Sequence, residues 1–281
     1  MNQVLGSLLL LSLLAATSAA QDSPQGELEV LSYNVHGLPA FVTGDDTLAR
    51  QRAIGPRLEP FGLVALQEDF LSEGHRLLAS GRSHPHVQRF ADALSDRVYG
   101  SGLCLLSRHR VRARHQEHYR AFNGVLSAGS DGLASKGFQL ARLELAPGVE
   151  LDVYNTHLDA GGSARDAAAR ASQVAQLTSA IHIRSRGRAL LVLGDTNLKA
   201  SRERDGRTLA RFQRATGLSC ACRVARQRCC GRIDRILVRS GAGLDLEVRR
   251  WQVDEWRDAQ GQPLSDHAPL RATLRWRRGP L

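Results

Sequence analysis

Eight short apolar runs, each closed by turn-forming or charged residues, recur along the whole chain. They cover residues 28–35, 63–66, 102–107, 139–145, 151–155, 189–193, 232–238 and 270–274. Short apolar runs of this kind are typical of β-strands that are buried on both faces. No internal repeat, linker or low-complexity tract separates them. The pattern therefore predicts one α/β domain in which layers of sheet and helix share a core.

Helical patterns occupy several of the gaps between these runs. Residues 164–184 carry apolar side chains at helical spacing, and Ser163 and Asp166 form the capping box that begins such a helix. The predicted buried stripe of this helix consists of Ala167, Ala171, Val174, Leu177 and Ile181. A second helix is predicted over residues 48–58. With 281 residues and 42% hydrophobic content, the chain is long enough to bury one large core.

The first twenty residues differ from the rest because they carry no charged side chain. An apolar stretch over residues 4–16 is too short to cross a bilayer, and Ser18, Ala19 and Ala20 then supply the small residues that a signal peptidase accepts. We therefore expect residues 1–20 to be a signal peptide, although no Lys or Arg precedes the apolar stretch. Residues 21–281 are expected to form a single soluble domain, secreted to the medium or the periplasm.

The five cysteines are unevenly spaced. Cys220, Cys222, Cys229 and Cys230 share one short segment, which in a secreted chain predicts two disulfides that close a loop. Four thiols allow three pairings, and a bond between adjacent cysteines is disfavoured, so the connectivity stays open. A zinc site is the alternative, but Cys-x-Cys and Cys-Cys spacings fit the usual zinc patterns poorly. Cys104 lies in an apolar run and is predicted to be a buried, inert thiol.

The chain is strongly basic. Its formal net charge is +10, and arginine supplies nearly all of the positive charge because Lys136 and Lys199 are the only lysines. A surface this basic favours polyanions, either nucleic acid or an anionic membrane. A solvated basic face without a partner explains the same count equally well. Charge alone therefore leaves lipid and nucleic acid both open.

Carboxylate and amide side chains stand where several of the apolar runs end. Glu68 follows the run 63–66, Asn34 lies near the end of the run 28–35, and Asp266 precedes the run 270–274. Loops at strand ends gather functional groups, and hard divalent ions take oxygen ligands from a few protein groups, waters and a substrate phosphate. We therefore predict a Mg²⁺ site formed by these three residues, with Mn²⁺ and Ca²⁺ as open alternatives. Taken singly, each is also an ordinary turn, cap or strand-end residue.

Two histidines at strand ends are suited to proton transfer because imidazole titrates near neutral pH. His267 is predicted to be a general base, with Asp234 holding its tautomer as a carboxylate does in a hydrolase triad. His157 would face the leaving oxygen or the developing charge. Such a set is what a metal-assisted attack on phosphorus needs, and it predicts hydrolysis of a phosphate ester. The remaining histidines are interpreted as structural: His36, His75, His84, His86, His109, His115, His118 and His182.

Six short motifs resemble, in chain order, those of the endonuclease/exonuclease/phosphatase superfamily. They are Ser-Tyr-Asn34-Val, Gln67-Glu68, Asn155-Thr-His157, Gly194-Asp195-Thr-Asn197, Ile233-Asp234 and Ser265-Asp266-His267. The ordered set spans roughly residues 28–275 and is specific, although any single motif is weak. The resemblance implies a four-layer α/β sandwich, with two mainly antiparallel sheets packed face to face and helices outside. It also implies Mg²⁺-dependent phosphoester cleavage.

The same resemblance implies a role for each site residue. Glu68 would bind the metal, Asp195 and Asn197 would position the nucleophile and the phosphate, and Asp234 would support His267 as base. The superfamily contains nucleases, inositol phosphate phosphatases and sphingomyelinases, so the fold does not give the substrate.

Three features of the sequence favour a lipid substrate. Residues 131–137 resemble the Asp-x-x-Ala-x-Lys-Gly segment of neutral sphingomyelinases, and Lys136 in it is a predicted phosphate-binding residue together with Asn197. An ordinary exposed loop lysine is an equally good interpretation of Lys136 from the sequence alone. The apolar residues 37–42 resemble the Gly-Leu-Pro or Gly-Ile-Pro of the same enzymes and would lie beside the metal. Trp251 and Trp256 are weaker candidates for contact with a membrane.

The predicted function is therefore that of a secreted, sphingomyelinase-like phosphodiesterase acting on phospholipid at a membrane surface. A secreted deoxyribonuclease-like endonuclease is the main alternative, because sphingomyelin is zwitterionic whereas a nucleic acid backbone rewards each neutralising arginine. A binding protein that kept the fold and lost the chemistry is the third hypothesis, and the complete set of site residues argues against it. The sequence indicates no obligate protein partner.

Overall fold

Two six-stranded β-sheets form the centre of the computed structural model within the residues it describes, which are 23–79, 83–123, 132–227 and 231–279. The first sheet has the strand order β11-β12-β1-β2-β4-β3. Its strands are β1 (Gln25–Asn34), β2 (Leu63–Gln67), β3 (His86–Phe90), β4 (Leu103–Ser107), β11 (Asp245–Val253) and β12 (Leu270–Arg277).

The second sheet has the order β5-β6-β7-β8-β10-β9. Its strands are β5 (Arg110–His118), β6 (Gly137–Ala146), β7 (Val149–His157), β8 (Leu190–Asp195), β9 (Ser219–Cys220) and β10 (Asp234–Arg239). Among the described strands, each sheet has one parallel pair at its centre, β1 with β2 and β7 with β8, and its other neighbours are antiparallel. The predicted mainly antiparallel sheets are confirmed.

Helices cover the outer face of each sheet. The first sheet is covered by α2 (Thr47–Ile54), a 3₁₀ turn (Gly55–Leu58) and α3 (Ser72–Ala79), and the second by α4 (Ala164–Arg184) and α5 (Glu203–Thr216). Two short helices, α1 (Ala40–Thr43) and α6 (Ala221–Val224), lie in connecting segments. The resulting order of helix, sheet, sheet and helix confirms the predicted four-layer α/β sandwich.

The side chains of β1 and β2 alternate between two cores. Leu28 and Val30 pack between the sheets, while Leu31 and Tyr33 pack under the helices of the first sheet. Burying an aliphatic side chain of this size contributes about 1.5–3 kcal/mol. Because both of their faces are covered, β2 (LVALQ) and β4 (LCLLS) are apolar at nearly every position and appear in the sequence as continuous runs.

The predicted helix over residues 164–184 forms, and Ser163 and Asp166 make the expected capping box. Its buried stripe differs from the prediction, because Ala171 is exposed and buried positions are taken by Arg170 and Gln173. Both polar side chains have partners: Arg170 pairs with Asp205 of α5, and Gln173 donates to a backbone carbonyl. The hydrophobic stripe was therefore misassigned because satisfied polar groups fill part of the interface.

Several predictions concern the cysteines and the chain ends. Cys104 is a buried free thiol, as predicted, but Cys220 is also a free thiol, with its Sγ 3.1 Å from the Sγ of Cys222. Cys222 is itself disulfide-bonded, so the prediction of two disulfides is wrong at Cys220 but not at Cys222. Cys229, Cys230 and the predicted signal peptide lie outside the described residues. No helix in the described part of the chain is long and apolar enough to cross a membrane.

Candidate active site

The two parallel strand pairs end at the same edge of the sandwich. Asn34 is the last residue of β1 and Glu68 follows β2, while His157 and Asp195 end β7 and β8 as register partners. Ligands in α/β sheets bind in the crevice outside the carboxyl ends of parallel strands. The fold thus delivers four predicted site residues, two from each sheet, to one crevice.

Asn34 connects the two sheets within this crevice. Its amide nitrogen donates to Oε1 of Glu68 at 3.0 Å and to Oδ2 of Asp195 at 3.3 Å, and its amide oxygen accepts the backbone N–H of His36. The hydroxyl of Ser265 donates to the Asn34 carbonyl at 2.7 Å and so fixes the loop that carries His267. In this orientation the Asn34 nitrogen, not its oxygen, faces the carboxylates, so its ligand role stays a prediction.

Asp195 lies between the two predicted catalytic histidines. Its Oδ2 is 3.5 Å from Nε2 of His157 and 3.6 Å from Nε2 of His267, and its Oδ1 accepts the backbone N–H of Asn197 at 2.9 Å. Burial, and then the neighbouring charge of Asp234, raise the pKa of Asp195 to about 7. This carboxyl group is therefore poised to exchange a proton near neutral pH.

His267 is held by Asp234, as predicted. Its Nδ1 lies 2.9 and 3.0 Å from the two carboxylate oxygens of Asp234, the first residue of β10. Burial alone would lower the pKa of His267, but the hydrogen bond and charge of Asp234, with further charge from Asp195, raise it to about 10. The two carboxylates therefore favour the protonated form of the His267 imidazole.

Lys136 is a buried residue beside His157, not an exposed loop lysine. Its Nζ lies 3.0 Å from Nε2 and 3.4 Å from Nδ1 of His157, and only 2% of the lysine is exposed. Burial, and then the positive charges of Lys136 and His267, hold the pKa of His157 well below its usual range. His157 is thus a neutral imidazole between two cations. The positive charge of Lys136 lies beside this site residue, where its predicted phosphate-binding role would place it.

His36 lies at the site, which its interpretation as a structural residue did not indicate. Its Nδ1 lies 3.3 Å from Oδ1 of Asp266 and 3.9 Å from Oε2 of Glu68. The imidazole therefore lies beside both predicted carboxylate ligands, and its interpretation as a structural residue stays a prediction. The signal that was present is its position two residues after Asn34, in the same strand-end turn.

The sequence pattern of the Endonuclease/Exonuclease/phosphatase family matches residues 31–267 of this chain. The chain belongs to this family. A protein named sphingomyelinase from Mycobacterium tuberculosis (strain H37Rv) is 28% identical over 275 residues, covering 88% of this chain. The match covers 52% of that relative, so the chain spans about half the length of the mycobacterial protein.

Two solved structures of bacterial proteins share the fold. Sphingomyelinase C from Streptomyces griseocarneus superposes with a TM-score of 0.66 at 19% identity, covering 88% of this chain and 99% of that one. A double mutant of beta toxin from Staphylococcus aureus, described with bound magnesium ions, gives a TM-score of 0.66 at 16% identity, covering 88% and 99%. At these identities the likeness shows the fold.

Residues with a strained backbone conformation are concentrated at the site. Four non-glycine residues in the described part of the chain have positive φ angles, and three of them are His36, Glu68 and Asn197. Such conformations cost of order 1–3 kcal/mol and persist only where the surroundings enforce them. Their clustering at the strand ends marks the crevice as a functional site independently of the motifs.

Two buried polar residues that were not predicted as functional support the crevice. Arg50 of α2 donates to the carbonyls of Val35 and His36, and to that of Leu264 just before the His267 loop. Gln67 donates to the side chain of Asn155, which in turn donates to backbone carbonyls of the first sheet. The first group ties two site loops together, and the second ties the two sheets together directly behind the site.

The residues present fit a hard divalent ion of the kind predicted. Glu68 and Asp266 offer carboxylates on either side of His36, with 17% and 59% of their side chains exposed, so solvent reaches both. Asp195, Asp234 and His267 form a separate group outside the predicted ligand set, in which one ligand atom from each residue lies within 4.8 Å of the others. Carboxylate oxygens with room for water are the donors that Mg²⁺, Mn²⁺ and Ca²⁺ prefer.

Proposed function

We propose that this chain is a secreted, divalent-metal-dependent phosphodiesterase that hydrolyses sphingomyelin or a related phospholipid. The arrangement of Asp195 between His157 and His267, with Asp234 behind His267, carries the proposal, because it supplies proton transfer and charge stabilisation at one point. The mycobacterial relative named sphingomyelinase supports the lipid substrate. Secretion rests on the apolar N-terminal stretch and the small residues that follow it.

The proposed reaction is an in-line attack of water on phosphorus. Asp234 orients His267 so that its Nε2 faces the crevice and accepts a proton from the attacking water. The amide nitrogen of Asn197, with Lys136 and His157, would stabilise the negative charge that develops on the phosphoryl oxygens. Glu68 and Asp266 would hold the divalent ion, whose positive charge would be available to a phosphoryl oxygen. His267 acts as base in its neutral form, which a positive charge near the surrounding carboxylates would favour.

Magnesium is the metal proposed, with Mn²⁺ and Ca²⁺ as alternatives. The hard oxygen donors of Glu68 and Asp266 support this choice, and the beta toxin structure is described with bound magnesium ions.

An exposed aromatic residue in the segment that follows Asn34 supports a membrane substrate. Phe41 of α1 is 85% exposed, whereas Leu38 in the same segment is buried. An exposed apolar ring is favoured at a lipid interface. The tryptophans do not take this role, because Trp251 lies in the core and Trp256 packs edge-on against Tyr33.

A nuclease remains the second candidate, on the ground of charge. The net charge is +10, and α5 presents Arg204, Arg207, Arg211 and Arg214 on exposed positions. A phosphate backbone would bind such a row with a strong dependence on salt. Arg207 already pairs with Glu203, which reduces the charge that this helix offers.

The deciding experiment compares both substrates with one protein preparation. The purified chain with Mg²⁺ is assayed for phosphocholine release from sphingomyelin vesicles and for nicking of supercoiled plasmid, with His267→Ala and an EDTA-treated sample as controls. Phosphocholine release that both controls abolish supports the proposal. Plasmid nicking without phosphocholine release assigns the nuclease function, and turnover that survives EDTA contradicts the metal requirement.

A further inference from the structure

Glu68 is held in a conformation that its own sequence does not favour. Its φ angle is +61°, in the left-handed region that a glutamate rarely adopts. The cost is of order 1–3 kcal/mol, so neighbouring groups must enforce it. This conformation turns the chain at the end of β2 and directs the Glu68 carboxylate to Asn34 and His36.

Two glycines enclose the Glu68 backbone. A Cβ atom on Gly37 would lie 2.1 Å from the carbonyl oxygen of Glu68, and one on Gly102 would lie 3.0 Å from its Cα. The Glu68 carbonyl also accepts the N–H of Phe70 at 2.9 Å. Close packing on both sides leaves little room for Glu68 to relax to a common conformation.

Asp69, the next residue, anchors this turn through a buried carboxylate. Its backbone N–H donates to the carbonyl of Gly102 at 2.8 Å, and its side chain has no exposed surface. Oδ2 of Asp69 lies 2.6 Å from Nδ1 of His75 in α3 and 3.6 Å from Nε of Arg89 in β3. Arg89 also donates to the carbonyls of Asp69 and Phe70, so it grips the backbone as well as the carboxylate.

We propose that Asp69, His75 and Arg89 form a positioning clamp that holds Glu68 in its metal-binding conformation. The clamp joins α3, β3 and the end of β2. Outer groups of this kind orient metal ligands, and their loss typically weakens metal affinity about 10–100-fold. The inference rests on the proposed role of Glu68 as a metal ligand.

The chemistry of the same cluster also suits a softer ion, since Asp69, His75 and Cys104 offer one oxygen, one nitrogen and one sulfur atom within 4.8 Å. The guanidinium of Arg89 lies beside this cluster, however, with its Nε 3.6 Å from Oδ2 of Asp69. Arg89 therefore occupies the side of Asp69 at which a metal ion would bind. Burial, and then the charge of Asp69, also raise the pKa of the Cys104 thiol, which disfavours the thiolate form that metals bind. The positioning role is therefore the one the contacts support.

Mn²⁺ binding to the full chain, followed by its electron paramagnetic resonance signal, tests the clamp without relying on activity. His75→Leu removes the donor to Asp69, whereas His75→Asn retains an N–H donor at nearly the same position. We expect His75→Leu to weaken Mn²⁺ binding about tenfold and His75→Asn to restore most of it. His182→Leu, at an exposed histidine on α4, serves as the matched control and should bind as the unmodified chain does.

Two results would overturn the clamp: unchanged Mn²⁺ affinity in His75→Leu, or equal loss in His75→Leu and His75→Asn. Glu68→Gln distinguishes failure of the clamp from failure of the proposed function. If Mn²⁺ still binds to the Glu68→Gln variant, Glu68 is not a metal ligand. If His75→Leu does not fold, Arg89→Met takes its place, since it releases the backbone of Asp69 and Phe70 while leaving His75 intact. Unchanged affinity in that variant also rejects the clamp.

Discussion

Nδ1 of His267 lies 2.9 Å from Oδ1 of Asp234, while Nε2 of the same ring points to Oδ2 of Asp195 at 3.6 Å. One imidazole is thus fixed by one carboxylate and directed at another. This geometry gives the ring a single orientation in the crevice and leaves one nitrogen for proton transfer.

Replacing His267 with alanine should therefore remove proton transfer while leaving the crevice intact. We expect kcat to fall at least about a hundredfold, the usual contribution of a general acid or base. The measurement is kcat on sphingomyelin vesicles, with thermal melting as a check on folding. Near-full activity of a folded His267→Ala protein would contradict the assignment.

Lys136 is expected to act on turnover through its charge beside His157. Lys136→Met preserves much of the buried volume and removes the cation, and kcat should fall about a hundredfold, as when one oxyanion donor is lost. Lys199, the other lysine of the chain, is exposed and provides the matched control as Lys199→Met. Equal kcat values for the two variants would show that Lys136 takes no part in turnover.

Phe41 is expected to contribute to membrane binding and not to catalysis. Because its ring is 85% exposed, Phe41→Ser removes interfacial contact without creating a cavity. We expect a clear loss of binding to sphingomyelin vesicles in a sedimentation assay, with unchanged kcat/KM on a soluble phosphocholine diester. Val98→Ser, at another exposed apolar residue, shows whether any such residue has the same effect. Parallel loss on both substrates would place Phe41 in the chemistry instead.

The sequence predicted the inner strands of both sheets and missed the edge strands. All eight predicted strands lie inside the two sheets, whereas the four that were missed, β3, β5, β9 and β11, form the sheet edges. Inner strands have neighbours on both sides, and those that are also covered on both faces, such as β2 and β4, are almost entirely apolar. An edge strand such as β5, with the sequence RVRARHQEH, carries charged residues that discourage pairing with other chains, and these residues hide its strand pattern.

The site was predictable where a motif marked it and not where the fold alone assembled it. The pair of His267 and Asp234 was foreseen from residue types at strand ends. The contact of His36 with Asp266 joins residues far apart in the sequence, and no local pattern indicates it. The burial of Lys136 against His157 depends on the register of β6 with β7, which pairs Gly137 with His157.

Asp166 should make part of the stability depend on pH. Burial would raise the pKa of this carboxyl group, but hydrogen bonds from Asn123 and Ser163 and the charge of Arg170 lower it below its usual value. A carboxylate whose pKa is lower in the folded state stabilises the fold above the unfolded-state value of about 3.9. That contribution disappears as the pH falls through the folded-state pKa.

Asp166→Asn is therefore expected to lower the free energy of unfolding by about 1 kcal/mol at pH 7, as for the loss of a helix cap. The difference from the unmodified chain should shrink at pH 3, because this carboxyl group is already largely protonated in the unfolded chain at that pH. Urea unfolding at both pH values measures this, and Asp245→Asn, at an exposed aspartate, provides the control. A difference that stays constant between pH 7 and pH 3 would reject the electrostatic part of the cap.

The buried ion pair between Arg170 and Asp205 connects stability to the site. Arg170 has no exposed surface, donates to both oxygens of Asp205, and donates to three successive carbonyls of the loop over residues 159–161 that follows His157. Removing one partner of a buried pair leaves an uncompensated charge and costs about 3–5 kcal/mol. We therefore expect Arg170→Met to lower the free energy of unfolding by that amount, measured by urea denaturation.

Arg170→Lys should recover little of this loss, because an ammonium is a point charge that cannot replace the planar set of guanidinium donors. The double variant Arg170→Met with Asp205→Leu should be more stable than Arg170→Met alone, since no unpaired carboxylate is left in the interior. Turnover should stay low in the double variant, because the loop after His157 has lost its anchor and the Leu158 carbonyl that accepts from Asn197 is no longer held in place. Full recovery of kcat with stability would show that the pair supports the fold only and does not position the site.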